Sequence, residues 1–545
     1  MPSATRRHVA FLALLALAAS CTSLGNGFAL DDLPIIVRNE RVHALVAPWT
    51  WFGQTYWPPE QGPALYRPLA ILAYALQWAA GGGSPFVFHL TSVLLYLLAT
   101  LAVYWLARHC VAPAFAFVVA GLFAVHPVHV EAVGNVVGQS EIVVGALVAL
   151  AVGWYVRARG AGALGVRQAA PVAAWFGIAL CFKEHAVMLP VLVVLAELLL
   201  VEEQVTLRVR FERLLPVLLG LVTVLVAFWT VRTMVTGGLV GRDILPVFRA
   251  GDPGTRLLTA LGVMPEYVRL LLFPVHLSAD YNPEQIPILH QFNTRAFDGL
   301  VVLALVAAAL VWSWRRHPVV AFGICWTVIT LLPVSNILLP TGVLLAERTL
   351  FLPSVGAMLA VTGLLATVLP APEPRPAGRA RVAWSVAAVV VCLGLIRSAL
   401  RQPVWRDNAT LFAQTAQDAP RSYKALAAHA VMLLEAGEDE AGEREYRQAL
   451  ELYRDDPNMF ADLGDWYLRK NRCHEALAMY QRVLELVPAH WAATSRTILC
   501  LTRVGRLTEA RRMAEVAVRR GDEGAAAKLA YVDSVIAAQG RPVTR

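Results

Sequence analysis

Apolar residues along this 545-residue chain follow two patterns. From residue 8 to about 399 they form long runs divided by short polar loops, and from 421 to about 535 they recur at helical intervals among charged residues. The first pattern is that of membrane-spanning helices, each needing about 20 apolar residues to cross a bilayer. Eleven runs are candidates: 8–25, 86–107, 112–126, 139–157, 170–182, 186–201, 214–232, 297–314, 318–333, 350–370 and 382–399. Runs 112–126 and 170–182 are short and are expected to be tilted or broken. The run 8–25 follows Arg6-Arg7 and ends at Ala19-Ser20-Cys21, in the manner of a secretory signal; with so many spans behind it, it is read as an uncleaved first helix. The expected fold is all-α: a polytopic helical body over 1–400, a linker over 401–420, a helical repeat domain over 421–535 and a tail over 536–545.

The repeat is clearest at Leu463, Gly464, Tyr467, Ala476, Tyr480 and Pro488, the L-G-x2-Y, A-x3-Y, P spacing of a tetratricopeptide repeat (TPR). Ala510 lies 34 residues after Ala476, and Ala441, Tyr446 and Ala449 mark a looser unit before it. About three units are expected. Stacked helix pairs of this kind present a concave face to extended peptides, so the domain is expected to present a protein or peptide acceptor to the membrane body.

Composition agrees: 57% of residues are hydrophobic and 16% charged, against about 25% charged in soluble domains. The net charge of +8 does not indicate a nucleic-acid partner, because the basic residues sit in alternate loops: Arg6-Arg7, Arg108-His109, Arg157 to Arg167, Arg208 to Arg213, Arg315-Arg316-His317 and Arg375 to Arg381. Basic loops stay in the cytoplasm. The loops 26–85, 127–138, 183–185, 233–296 and 334–349, and everything after 400, are therefore expected outside it. The seven cysteines show no paired spacing, which argues against a disulfide framework or a zinc site.

Candidate chemistry gathers in the outer loops, of which 26–85 and 233–296 are long. Asp31 and Asp32 follow the first span directly, and ionisable groups beside a bilayer suggest function, although Asp also caps helices well. Arg67 opens an apolar stretch, 68–80, expected to lie at the interface, where it serves either a ligand or lipid headgroups. His126, His129 and Glu131 form a His-x2-His-x-Glu set that could ligate zinc or manganese. Pro127 breaks the local helix, so a hydrogen-bonded polar patch lining the site is the preferred reading, and no metal or other cofactor is expected. Lys183 and Glu184 form a polar step between two spans. Arg348, beside Glu347, is placed to hold a phosphate with its planar fork. Two carboxylates with several cations at one surface suit transfer of a sugar from a lipid phosphate to a hydroxyl: a carboxylate takes the proton and cations neutralise the departing phosphate. No G-x4-G-K-S/T loop indicates an ATP-driven pump. Two other classes remain open. A carrier of polyprenyl-linked glycolipid would place charges on both leaflets and break helices at the midplane. A non-catalytic membrane-anchored TPR scaffold would tolerate loss of Asp31 and Asp32.

In order along residues 25–500, Asp31-Asp32, Tyr66-Arg67-Pro68-Leu69, Gly82 to His89, His126 to Val133, Lys183-Glu184, Leu277-Ser278-Ala279-Asp280-Tyr281, Ala346-Glu347-Arg348 and the trailing repeats resemble the transmembrane-and-TPR-containing O-mannosyltransferases. That family lies among the C-type (GT-C) glycosyltransferases. The resemblance implies a multi-span GT-C body with Asp31 and Asp32 as the catalytic acidic pair. It implies a polyprenyl-phosphate mannose donor. From the chemistry of the residues, Arg348, Lys183 and Arg67 are expected to hold the donor phosphate, with His126, His129, Glu131, Glu184, Asp280 and Glu347 lining the site. It also implies Ser or Thr acceptors in exported proteins. The Ala/Arg/Val-rich composition suggests a bacterial inner-membrane protein with its active site and repeats in the periplasm. Gln139 stands where a basic residue is expected in animal members.

Overall fold

The computed structural model describes residues 3–45, 47–58, 65–162, 164–203, 205–238, 245, 248, 252–369, 378–522 and 524–538. The end of the expected tail, most of 239–251 and the basic segment before Gly378 lie outside them. The chain divides into two compact units, Met1–Asp418 and Ala419–Arg545.

Unit 1 is a bundle of apolar helices. α1 spans Ser3–Ser20, α2 Pro68–Gly81, α3 Pro85–Ala107, α4 Pro113–Ala124, α5 Val130–Gly134, α6 Gln139–Gly160, α7 Val166–Phe182, α8 Leu189–Leu199 and α9 Leu207–Thr236. The helices Pro253–Leu272, Thr294–Ser313, Pro318–Leu331, Phe351–Val368 and Arg379–Arg401 follow. Proline opens several of them, where its missing N–H costs nothing. α3 packs on α6, α6 on α7 and α7 on α9, while α1 lies against α3 and α4. Pro318–Leu331 and Phe351–Val368 touch backbone to backbone at Gly323 and Gly356. A Cβ on Gly323 would sit 2.6 Å from the Gly356 carbonyl oxygen, and one on Gly356 2.5 Å from that of Gly323. Small residues permit such crossings where lipid supplies no hydrophobic drive.

The protein is multi-pass. Among the described residues, seven helices are long and apolar enough to cross a membrane, or eight if the pair α4 and 127–134, bent by 49°, forms one span. All eleven expected runs fall on helices, but α7, α8 and Pro318–Leu331 are shorter than a bilayer crossing requires. Pro127 accounts for the bend, since it cannot continue the hydrogen-bond ladder of α4.

Two segments differ from their reading as loop and linker. The stretch 233–296 contains the helix Pro253–Leu272, opened by Asp252, whose side chain accepts from the Gly254 N–H at 3.0 Å. The segment 401–420 is no free linker. A turn at Gln402–Trp405 and a helix at Asn408–Asp418 belong to unit 1, with Trp405 and Leu411 buried beside Ala29 and Val130. Their apolar side chains find a core there, which isolated polar spacing could not reveal.

Unit 2 consists of helical hairpins. The helices Tyr423–Glu435, Pro457–Arg469 and Trp491–Arg503 start 34 residues apart, as do their partners Asp439–Leu452, Cys473–Leu486 and Leu507–Arg520. Ala525–Ala538 closes the array. This is the expected period, and the repeat-defining residues pack helix on helix: a Cβ on Gly464 would lie 2.7 Å from the Tyr480 ring, so only glycine lets the pair close.

Candidate active site

The described residues between α1 and α3 are themselves folded. Short helical turns at Leu33–Val37, Glu40–Val42 and Pro48–Gly53 bury Ile35, Ile36, Val42, Trp51 and Tyr56 against Ile71 and Tyr74 of α2 and Phe88 of α3. This small core fixes the chain on either side of Asp31 and Asp32, and the two carboxylates differ sharply. Asp32 is fully buried and accepts three backbone N–H groups, from Ala29 at 3.3 Å, Val136 at 3.3 Å and Val137 at 2.9 Å. Burial pushes its carboxyl up to about 7, against the pull of those three donors. It staples the first loop to the turn ahead of α6. The Asp31 side chain is 31% exposed, and its Oδ2 lies 3.9 Å from Arg348 Nη2. Of the pair, Asp31 is the one a substrate can reach.

Arg348 is one of three cations in a linked network, each on its own carboxylate. Glu131, buried after the α4 break, takes the Arg348 backbone N–H at 2.8 Å and its guanidinium as well, turning the head toward Asp31. Lys183 pairs with Glu141 at the start of α6, and His185 Nε2 lies 3.3 Å from the same carboxylate. Burial draws the Lys183 ammonium below its usual range while Glu141 resists, and burial holds His185 down at about 4. Arg67, at the head of α2, donates twice to Glu184 at 3.0 and 3.1 Å and covers the Tyr56 ring at 4.9 Å. Burial works to raise the Glu184 carboxyl, yet Arg67 holds it below the usual range. The side chains of Arg348, Lys183 and Arg67 remain 21%, 15% and 13% exposed, and Lys183 is within Coulombic reach of both arginines. Asp31 and Arg348, more than 300 residues apart in sequence, are thus brought together, and Lys183 links Arg348 electrostatically to Arg67.

The remaining residues singled out from sequence serve the frame. His126 donates from Nε2 to the Leu271 carbonyl at 3.0 Å while its Nδ1 accepts the Val128 N–H at 3.3 Å. His129, 1% exposed, bonds Tyr96 at 3.0 Å and Ser354 at 2.8 Å. With Glu131 committed to Arg348, the His-x2-His-x-Glu set does not converge, and the described residues contain no group of three or more His, Cys, Asp or Glu placed to hold a metal. Glu347 is buried and accepts from the Ser278 N–H and the Tyr281 hydroxyl, both at 2.6 Å; Asp280 accepts from Asn282 in the same loop. These two shape the 278–282 turn. Gln139, where a basic residue was expected, exchanges two 2.9 Å hydrogen bonds with Gln77 of α2. Glu141 and Tyr56 were not singled out from sequence: Glu141 opens an apolar span, and that position is the one signal it gives.

The family model described as the TT21 fifth ARM repeats domain matches residues 455–542. The chain is 24% identical over 507 residues to the protein O-mannosyl-transferase TMTC3 of Mus musculus, covering 87% of this chain and 54% of that protein. It is 27% identical over 519 residues to the protein O-mannosyl-transferase TMTC1 of Homo sapiens, covering 83% and 56%. The chain therefore spans about half the length of the curated relatives it matches. Among solved structures, an oligosaccharyltransferase from Archaeoglobus fulgidus tethered with an acceptor peptide aligns with a TM-score of 0.40 at 13% identity, over 81% of this chain and 58% of that one. By sequence, the chain is a homologue of the transmembrane-and-TPR-containing protein O-mannosyl-transferases.

Proposed function

We propose that this chain is a membrane glycosyltransferase that moves a sugar, mannose by analogy with its relatives' names, from a polyprenyl-phosphate donor to a Ser or Thr hydroxyl of an exported protein. The observation that carries this reading is the accessible Asp31 carboxylate 3.9 Å from Arg348, with the buried Asp32 fixing the backbone beside it. In the proposed reaction Asp31 removes the hydroxyl proton. The freed oxygen attacks C1 of the sugar, and the bond from C1 to the phosphate oxygen breaks. The leaving lipid phosphate gains charge, which Arg348 and Lys183 neutralise, with Arg67 behind them. The repeats would recruit the acceptor. Orientation follows from the basic loops, which would place the site in the periplasm of a bacterial inner membrane.

The test is transfer of radiolabelled mannose from mannosyl phosphodecaprenol to a synthetic Ser/Thr peptide by the purified chain in nanodiscs. Transfer that requires Asp31 supports the reading. A chain that binds the donor but transfers nothing, or that is equally active as Asp31→Asn, refutes it. Alkaline phosphatase fused after residue 420 should be active and after residue 316 inactive; the reverse pattern would overturn the orientation.

A further inference from the structure

The loop that carries Asp31 is tied to the stretch following the last span at three points. Asn26 Nδ2 donates to the Gln402 carbonyl at 2.9 Å, the Gly27 N–H to the Arg406 carbonyl at 2.8 Å, and the Leu30 N–H to Asn408 Oδ1 at 2.8 Å. The third tie falls on an unusual residue. Leu30 has φ of +52°, in the left-handed region. The other non-glycine residues in that region among those described are Glu284, Asn336 and Asn471. Asparagine visits it readily, because its short polar side chain can bond locally; leucine has no such means and stays there only when its surroundings hold it.

What holds Leu30 is visible. The Ala29 N–H reaches Asp32, the Ala29 side chain is buried with Val130, Trp405 and Leu411, and the Leu30 N–H ends on Asn408. Asn408 is not occupied in capping its own helix. Asp407 does that, accepting the Thr410 N–H at 2.8 Å. The Asn408 carboxamide oxygen is left for Leu30, one residue before Asp31. A carboxylate's direction is set by the backbone that bears it, and the backbone turns at Leu30.

We propose that Asn408 is a positioning residue for Asp31: by accepting the Leu30 N–H it holds the left-handed turn that aims the Asp31 carboxylate toward Arg348. This rests on the reading of Asp31 as the base. It gives the segment beyond the last span a part in the active site.

The test uses the full chain in nanodiscs with two independent readouts. The first needs no substrate: hydrogen exchange of peptides covering residues 26–37. Asn408→Ala should raise exchange at 29–31 at least tenfold while peptides from the repeats stay unchanged, and Asn408→Asp, which keeps the acceptor oxygen, should retain protection. The second is turnover with mannosyl phosphodecaprenol and a Ser/Thr peptide. Asn408→Ala should lower kcat about tenfold with the donor KM unchanged, and Asn408→Asp should restore most of it. Wild-type exchange and kcat in Asn408→Ala overturn the proposal, as does a kcat loss without a change in exchange. If Asn408→Ala cannot be purified, Asn408→Gln decides, since its longer arm displaces the oxygen; unchanged exchange and kcat there also overturn it. Asp31→Asn runs in the same assay. Full activity of that variant sinks the reading of the site, while the exchange data still decide whether Asn408 holds the turn.

Discussion

The two ends of the membrane body both gather buried charge, and they use it differently. α6 carries Glu141 at one end and Arg159 at the other, about 27 Å apart by helical rise. At the Arg159 end every charge has a close partner, and the central pair, Arg159 and Glu197, is closed off from solvent. Arg159, with no side-chain exposure, grips Glu197 through Nε at 2.9 Å and Nη2 at 2.8 Å, and reaches Glu203 at 2.6 Å. Tyr155 donates to Glu197 at 2.7 Å, Arg210 caps the carbonyls of Glu197 and Glu203, and Arg213 meets Glu203. At the Glu141 end the pairs are equally close, but one charge is left over: Asp31 meets Arg348 only loosely at 3.9 Å. A buried ion pair by itself therefore says little about function. What marks a site is charge left open to a ligand after the frame has been satisfied.

The sharpest break between the ends is Asp31→Asn. It should lower turnover by about 10²–10⁴-fold, the worth of a positioned base, with the melting temperature unchanged. Wild-type turnover would erase the distinction between the two ends.

Arg159→Ala should do the opposite. Removing one partner strands Glu197 and should cost about 3–5 kcal/mol of stability, with turnover per folded molecule retained. The double change Arg159→Met with Glu197→Leu should recover most of that stability. A specific loss of turnover in a fully folded Arg159 variant would show that this end, too, does chemistry.

Asp32 gives a pH signature. Its folded-state pKa is raised to about 7, above an unfolded value near 4. Between those values the folded form keeps a proton that the unfolded form has lost. Stability is therefore full below about pH 4, falls as pH rises toward 7 and is level beyond, by at most about 4 kcal/mol. The melting temperature should be higher at pH 5 than at pH 8, and Asp32→Asn should flatten that slope. A slope that survives in Asp32→Asn would assign it to another group.

The smallest effect is expected from Arg348→Lys, which keeps the charge and loses the planar fork held by Glu131. About a tenfold fall in kcat/KM for the donor is expected, the worth of one hydrogen bond to a charged group. An unchanged value would make Arg348 a point charge only.

Much of this was legible in the chain. Apolar runs located the helices of the body, and the spacing of Leu463, Gly464, Tyr467, Ala476 and Tyr480 located the repeats, because periodicity is local and survives without tertiary context. Asp31, Arg67, Lys183 and Arg348 stood out because charge beside a span is costly. Pairing was not legible. Glu184 follows Lys183 directly, yet Lys183 pairs with Glu141 and Glu184 with Arg67. The sequence favours a hydrogen-bonded patch at His126 and His129, but their partners, the Leu271 carbonyl and Ser354, lie 145 and 225 residues away.

The sequence by itself determined where the apolar helices lie, the alternation of basic loops and the 34-residue period, since each is a statement about neighbouring positions and their transfer from water; which of those helices are long enough to cross a bilayer was settled only by their folded lengths. Tertiary structure decided which of two adjacent aspartates stays open. Asp31 and Asp32 are the same side chain in consecutive positions. Three backbone N–H groups, two of them more than 100 residues away at Val136 and Val137, bury Asp32, and a left-handed turn held by Asn408 directs Asp31 outward. Hydrogen bonds are short-range and indifferent to sequence distance, so only the folded chain could assign them.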